Sequence, residues 1–242
     1  MKPLTNRAIA CIIGCVALLA ASRTEAQSEA VDLQLVLAVD TSGSVNEVRF
    51  ELQKEGYVAA FRNPRVIAAI TSGPAKAIAV MMTQWTGPEF QLRVTPWMRI
   101  SDVASAQAFA DAVAEVPRQL FGGGTSISGA IDFAASLFPD SPFQASRRVI
   151  DVSGDGSNNR GRPVRMARDE AVDAGINING LPILSLEPSL DRYYEDNVIG
   201  GPGSFVIVAN SYETFGDAIV RKLIAEIATT KTEQRTAQFQ PE

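Results

Sequence analysis

The chain has 242 residues, two cysteines, no histidine and a formal net charge of −5. The lack of histidine excludes Ser-His-Asp and Cys-His catalysis and any His-ligated zinc. Residues 1–26 hold three bases (Lys2, Arg7, Arg23) and one acid (Glu25), so the rest carries about −7, which argues against nucleic acid or an anionic membrane as partner.

The first segment does not read as fold. Lys2 and Arg7 precede an apolar run from Ala8 to Ala21, about 14 residues and too short to span a bilayer, and Thr24-Glu25-Ala26 offers a cleavage site. Residues 1–26 are therefore expected to be a secretory signal, and the product to be exported, periplasmic or secreted. Ile12-Ile13-Gly14-Cys15 supplies a rival reading, a lipoprotein box with Cys15 as the lipidated N-terminus. Cleavage after Ala26 removes both Cys11 and Cys15, so the domain must be held by its core. That domain is expected over 30–229, followed by a polar tail, 230–242, expected to be disordered. No second apolar segment reaches transmembrane length.

Val31 to Val39 reads as a strand buried on both faces. From Ser44 to Arg62 the period becomes helical, with Val48, Leu52, Gly56 and Ala59 on one face and Asn63-Pro64 as the stop. Lys76–Trp85 and Phe90–Trp97 are strands joined by the turn Thr86-Gly87-Pro88-Glu89, an expected hairpin. Asp102–Val116 is an alanine-rich helix, and Gly122-Gly123-Gly124 leads into another from Ser126 to Phe138. Arg147–Ser153 is a strand broken by Gly154-Asp155-Gly156. Pro163 opens a helix to Ala174 that Gly175 stops. Ile176–Leu184 is a strand, Leu190–Val198 a short helix, Ser204–Val208 the last strand and Tyr212–Ala228 the closing helix. This alternation predicts an α/β fold: a doubly wound, mostly parallel sheet with one antiparallel hairpin strand and helices on both faces.

In such sheets, ligands bind at loops leaving the carboxyl ends of parallel strands. Three polar clusters fall there: Asp40-Thr41-Ser42-Gly43-Ser44, Gly123-Gly124-Thr125-Ser126, and Asp155. In an extended segment alternate side chains share a direction, so Asp40, Ser42 and Ser44 can aim three oxygens at one point. Thr125 and Asp155 would add two more. An all-oxygen set suits a hard dication, Mg²⁺ best, with Mn²⁺ or Ca²⁺ as alternatives. Two carboxylates would neutralise the ion and leave a position for an acidic group from elsewhere.

The arrangement resembles the von Willebrand factor A family and its metal-ion-dependent adhesion site, where Asp-x-Ser-x-Ser is followed by a Thr after a glycine pair and by an Asp before Gly at a strand end. Here these are Asp40-Thr41-Ser42-Gly43-Ser44, Gly123-Gly124-Thr125 and Asp155-Gly156, and the likeness runs from about Val31 to Ala228. VIDVSGDGSNN, INGLPIL and DNVIGGPGSFV look like a bacterial exported subgroup of that family. The resemblance implies that Ser42, Ser44 and Thr125 ligate directly and Asp40 and Asp155 directly or through water. It also implies a non-catalytic adhesion-type domain that captures an Asp or Glu side chain of a partner protein.

Plainer readings stand beside these. Ser44 is a candidate helix N-cap, Asp155-Gly156 a turn, and Gly122-Gly123-Gly124 a flexible loop or weak phosphate cradle. Asn158 and Asn159 border the site or only form turns. Trp85, Trp97, Tyr193 and Tyr194 line a partner surface or pack, and Arg160, Arg162, Arg165 and Arg168 read as a solvated face. GDGSNN also resembles the metal loop of haloacid-dehalogenase-like phosphohydrolases, with Asp40 as nucleophile. Position 42 is then serine where that chemistry needs a carboxylic acid, and Asn159 replaces the loop's last Asp. A metal-free scaffold is the third alternative.

Overall fold

The computed structural model describes residues 29–237. The expected signal segment with Cys11 and Cys15, and residues 238–242, lie outside the described residues. In chain order the elements are β1 (Glu29–Ala30), β2 (Leu33–Asp40), α1 (Glu47–Phe61), α2 (Pro64–Ile70), β3 (Ile78–Trp85), β4 (Gln91–Arg93), β5 (Met98–Ile100) and α3 (Val103–Ala114). There follow α4 (Ile127–Ser136), β6 (Phe143–Gln144), β7 (Arg148–Gly154), α5 (Val164–Asp173), β8 (Asn177–Pro182), α6 (Leu190–Tyr193) with a π-helical turn over Tyr194–Val198, and α7 (Phe215–Ala237).

The main sheet runs β4-β3-β2-β7-β8, with β5 also on β3. The β2/β3, β2/β7 and β7/β8 pairs are parallel, and β4 and β5 are antiparallel to β3. All residues of β2 and β3 are buried, because helices cover both faces. Leu33, Leu35, Leu37 and Val39 point into the layer formed with α1, α3 and α7, whereas Val36, Ala38, Ile150 and Val152 meet α4 and α5. The expected α/β class holds.

Four local expectations need correction. The inward face of α1 is Phe50, Gln53, Gly56, Tyr57, Ala60 and Phe61; Val48 is 68% exposed. The three aromatic rings carry far more apolar area than Val48 or Ala59 and so decide the helix's rotation. Pro64 does not merely stop α1: it opens α2 behind the cap Asn63. The Phe90–Trp97 strand is cut into β4 and the later β5, because Pro96 has no N–H; the Thr95 hydroxyl accepts the Met82 N–H at 2.9 Å in place of a carbonyl. Ser204–Val208 and the following Ala209 make only bridges beside β8, Gly180 to Val206 and Ile183 to Ala209, since Pro182 interrupts that edge's donors.

The closing helix α7 continues past the expected end at Ala228 to Ala237, through residues that include no Gly or Pro. It is pinned to the sheet by buried charge. Lys222 Nζ lies 3.1 Å from Asp151 Oδ1 of β7 and 2.9 Å from Glu226 Oε2. Asn179 of β8 donates to Glu226 Oε1 at 2.6 Å.

Candidate metal centre

The first neighbour of β2 in the chain, β3, lies on one side of it and β7 on the other, so the strand order reverses direction at β2. Loops diverge at such a point and leave a crevice. Asp40 ends β2 and Asp155 follows β7, which brings the two carboxylates to the same place.

Asp40 and Asp155 are fully buried, and Ser42 is 1% exposed. Asp40 Oδ1 accepts the Ser42 N–H at 2.7 Å and Oδ2 the Asp155 N–H at 3.4 Å. Burial, and then the charge of Asp155, push the Asp40 carboxyl up to about 7. The loop after Asp40 is not extended as expected. It turns, with Val45 N–H bonded to Ser42 O at 3.0 Å. The turn still unites the hydroxyls: Ser42 Oγ and Ser44 Oγ are 3.1 Å apart, and Ser44 Oγ donates to Asp155 Oδ1 at 2.5 Å. The cap of α1 is Asn46, which accepts the Arg49 N–H at 3.0 Å, so Ser44 is not engaged as a cap.

Thr125 lies beside Gly156, the residue after Asp155. A Cβ on Gly156 would lie 3.7 Å from Thr125 Oγ1. Its backbone is clamped by Asn159, whose Oδ1 accepts the Thr125 N–H at 2.9 Å and whose own N–H reaches Thr125 O at 2.9 Å. Asn158 Oδ1 likewise accepts the Ser128 N–H at 3.0 Å. These asparagines therefore do more than form a turn: they join the loop after β7 to the start of α4. Gly122, Gly123 and Gly124 have φ of +76°, +90° and +84°, a left-handed run that favours glycine. A Cβ at Gly124 would also fall 2.5 Å from Arg160 Cγ.

Two groups absent from the sequence reading complete the surroundings. Tyr212 donates its hydroxyl to Asp155 Oδ2 at 2.8 Å. Arg49 Nη1 donates to Ser44 O at 2.7 Å and lies 3.5 Å from Asp155 Oδ2, with its guanidinium 5.3 Å from the Tyr212 ring centre. Arg49 lies in the first turn of α1, five residues after Ser44, but only the fold brings it to Asp155. Nothing local pointed to Tyr212.

Trp85 and Tyr194 are wholly buried and line no surface. The Tyr194 hydroxyl has no hydrogen-bond partner among the described residues and, like Asp40 Oδ2, lies 3.0 Å from the Cβ position of Gly154. Arg162 is partly exposed and pairs with Asp132 and Glu170, as a solvated face would.

Among the described residues there is no group of three or more His, Cys, Asp or Glu side chains fit to hold a metal. What this centre offers is two carboxylates and the Ser42 and Ser44 hydroxyls, with the Thr125 hydroxyl near Gly156, oxygen throughout. Its buried negative charge is only partly offset by Arg49, whose side chain is 28% exposed. That donor set and charge fit a hard dication.

The family described as "protein of unknown function (DUF1194)" matches residues 30–231. The chain belongs to that family. No curated protein matches it in sequence. Among solved structures, this DUF1194 chain is similar to proximal thread matrix protein 1 of the mussel byssus with a zinc-occupied MIDAS motif, at TM-score 0.58 and 13% identity, covering 82% of this chain and 48% of that one. It is similar to the pilus adhesin SpaC of Lactobacillus rhamnosus GG at TM-score 0.57 and 14% identity, covering 81% and 30%. It is also similar to the von Willebrand factor type A protein of Catenulispora acidiphila at TM-score 0.55 and 18% identity, covering 83% and 43%. The chain thus spans less than half the length of each of these. The likeness shows the von Willebrand factor A fold. Among the described residues, no helix is long and apolar enough to cross a membrane.

Proposed function

We propose that this chain is an exported, non-catalytic binding domain that holds a divalent cation and captures an Asp or Glu side chain of a partner protein. Mg²⁺ is the favoured ion, with Mn²⁺ and Ca²⁺ as alternatives, and Asp40, Ser42, Ser44, Thr125 and Asp155 are its proposed ligands. One observation carries the reading: two fully buried carboxylates linked through Ser42 and Ser44 at the strand-order reversal, with too little positive charge beside them. When bound, the ion supplies concentrated positive charge and a coordination position open to a carboxylate. Asp40 and Asp155 provide the charge that retains it, the serine hydroxyls orient those carboxylates, and Asn159 holds the Thr125 loop in place.

The phosphohydrolase alternative is less well supported. Asp40 would have to attack a phosphoryl group, yet it is buried with both oxygens on backbone N–H groups. Asn159, at the position of that family's last metal-loop Asp, is engaged on Thr125.

Thermal melting with Mg²⁺ and with chelator tests the reading. Ion at about 100 times its dissociation constant stabilises by roughly 2.7 kcal/mol. A metal-free scaffold shows no such difference. Unchanged calorimetric Mg²⁺ binding in Asp40→Ala overturns the site.

A further inference from the structure

We infer that Arg49 makes the loaded centre acid-seeking: it weakens the hold on the ion and leaves the ion-bound centre with a net positive charge that a partner carboxylate then cancels. The inference rests on the metal-binding reading above and extends it. Asp40 and Asp155 alone would match a dication charge for charge, and a neutral centre exerts little pull on an acid. The Arg49 guanidinium changes that balance. It is fixed against Ser44 O at 2.7 Å and Asp155 Oδ2 at 3.5 Å, and it lies over the Tyr212 ring. Asp40, Asp155 and the Arg49 guanidinium, the charged groups that meet at the centre, sum to one negative charge, and a dication turns that into one positive charge. Arg118, whose Nη2 donates to Thr41 O and Ser42 O at 3.1 Å each, and Glu187, whose Oε1 accepts the Ser157 N–H at 3.1 Å, flank the centre with opposite charges that offset each other.

Position supports the assignment. Arg49 leaves the first turn of α1 directly after the Ser42–Val45 turn, so its charge is held beside the ligands rather than free in solvent. Tyr212 takes the other approach to Asp155 Oδ2, at 2.8 Å, so that oxygen is occupied by protein donors while Oδ1 faces Ser44. The phenol contributes a hydrogen bond without charge. Arg49 alone supplies charge at that oxygen.

Calorimetry of Mg²⁺ with the full chain at low ionic strength, in chloride and in acetate as the carboxylate probe, tests this. The native chain binds Mg²⁺ more tightly in acetate than in chloride. Arg49→Gln tightens Mg²⁺ in chloride by at least about fivefold, because a like charge near the ion is removed. It also loses the acetate effect and melts lower in chelator. Arg49→Lys keeps the charge and both native responses. If Gln and Lys weaken Mg²⁺ equally, Arg49 only props the Ser44 turn and the inference falls. If the native chain and Asp40→Ala bind Mg²⁺ alike, the site reading itself falls and takes this inference with it.

Discussion

Ser44 Oγ donates to Asp155 Oδ1 at 2.5 Å, a bond between residues 111 positions apart. It fastens the loop leaving β2 to the end of β7, and a hydrogen bond to a charged acceptor contributes about 1.5–3 kcal/mol. Ser44→Ala is expected to lower stability in chelator by about 1–2 kcal/mol, since Tyr212 still serves the other oxygen. Urea unfolding of the two chains measures it. Mg²⁺ binding should weaken in the same variant.

Asp40 sets a pH dependence whose sign follows from its burial. Its folded-state carboxyl sits at about 7, above the ordinary 3.8. The folded chain therefore binds this proton more tightly than the unfolded chain, and that stability is lost as pH rises from about 4 to about 7. A cation needs the ionised form, so Mg²⁺ affinity should climb over the same interval and level off above it. Asp40→Asn should raise the melting temperature in chelator at pH 8 and abolish the response to Mg²⁺.

Asn159 is expected to act on the centre without touching an ion. Asn159→Ala removes the acceptor for the Thr125 N–H, leaving a buried donor unpaired at a cost of about 1–3 kcal/mol, and by loosening the Thr125 loop should reduce capture of an acidic partner more than Mg²⁺ binding. Asn159→Asp keeps the acceptor and should recover the stability. Thr125→Ala should leave ion binding mostly intact and reduce capture of an acidic partner. Calorimetry and melting separate these outcomes.

The legible part of this protein was what short-range pattern encodes. Apolar runs ending in Asp marked β2 and β7, and the Asp-x-Ser-x-Ser spacing placed Asp40, Ser42 and Ser44 on one loop. The loop itself is a turn rather than an extended segment, and it is the turn that brings the hydroxyls together. Arg49 and Tyr212 escaped because their role depends on which segments the fold brings against Asp155. The face of α1 escaped for a related reason. Periodicity admitted the Val48 face, but Phe50, Tyr57 and Phe61 win by area, and Gly56 was retained because Phe215 lies 2.7 Å from where its Cβ would be. The missing last strand turned on the donor lost at Pro182.

Lys222 offers a test of the α7 anchor. Burial pushes the Asp151 carboxyl up to about 6, against the pull of Lys222, and Glu226 adds to that rise. Lys222→Met would leave two buried carboxylates without their ammonium and should cost about 3–5 kcal/mol in denaturant unfolding. Replacing Lys222, Asp151 and Glu226 together with apolar residues should recover much of that loss.

Asp151 and Ser153 alternate along β7, so they share one side of it, and Asp155 follows at its end. Each meets a partner there: Lys222, the Tyr57 hydroxyl at 3.2 Å, and Tyr212. Sliding β7 by a single residue between β2 and β8 would rotate Asp151 and Ser153 into the largely apolar packing under α4 and α5, away from Lys222 and Tyr57. The row thus acts as a key cut for one alignment of the strands, and mispaired sheets are penalised before any ligand is met.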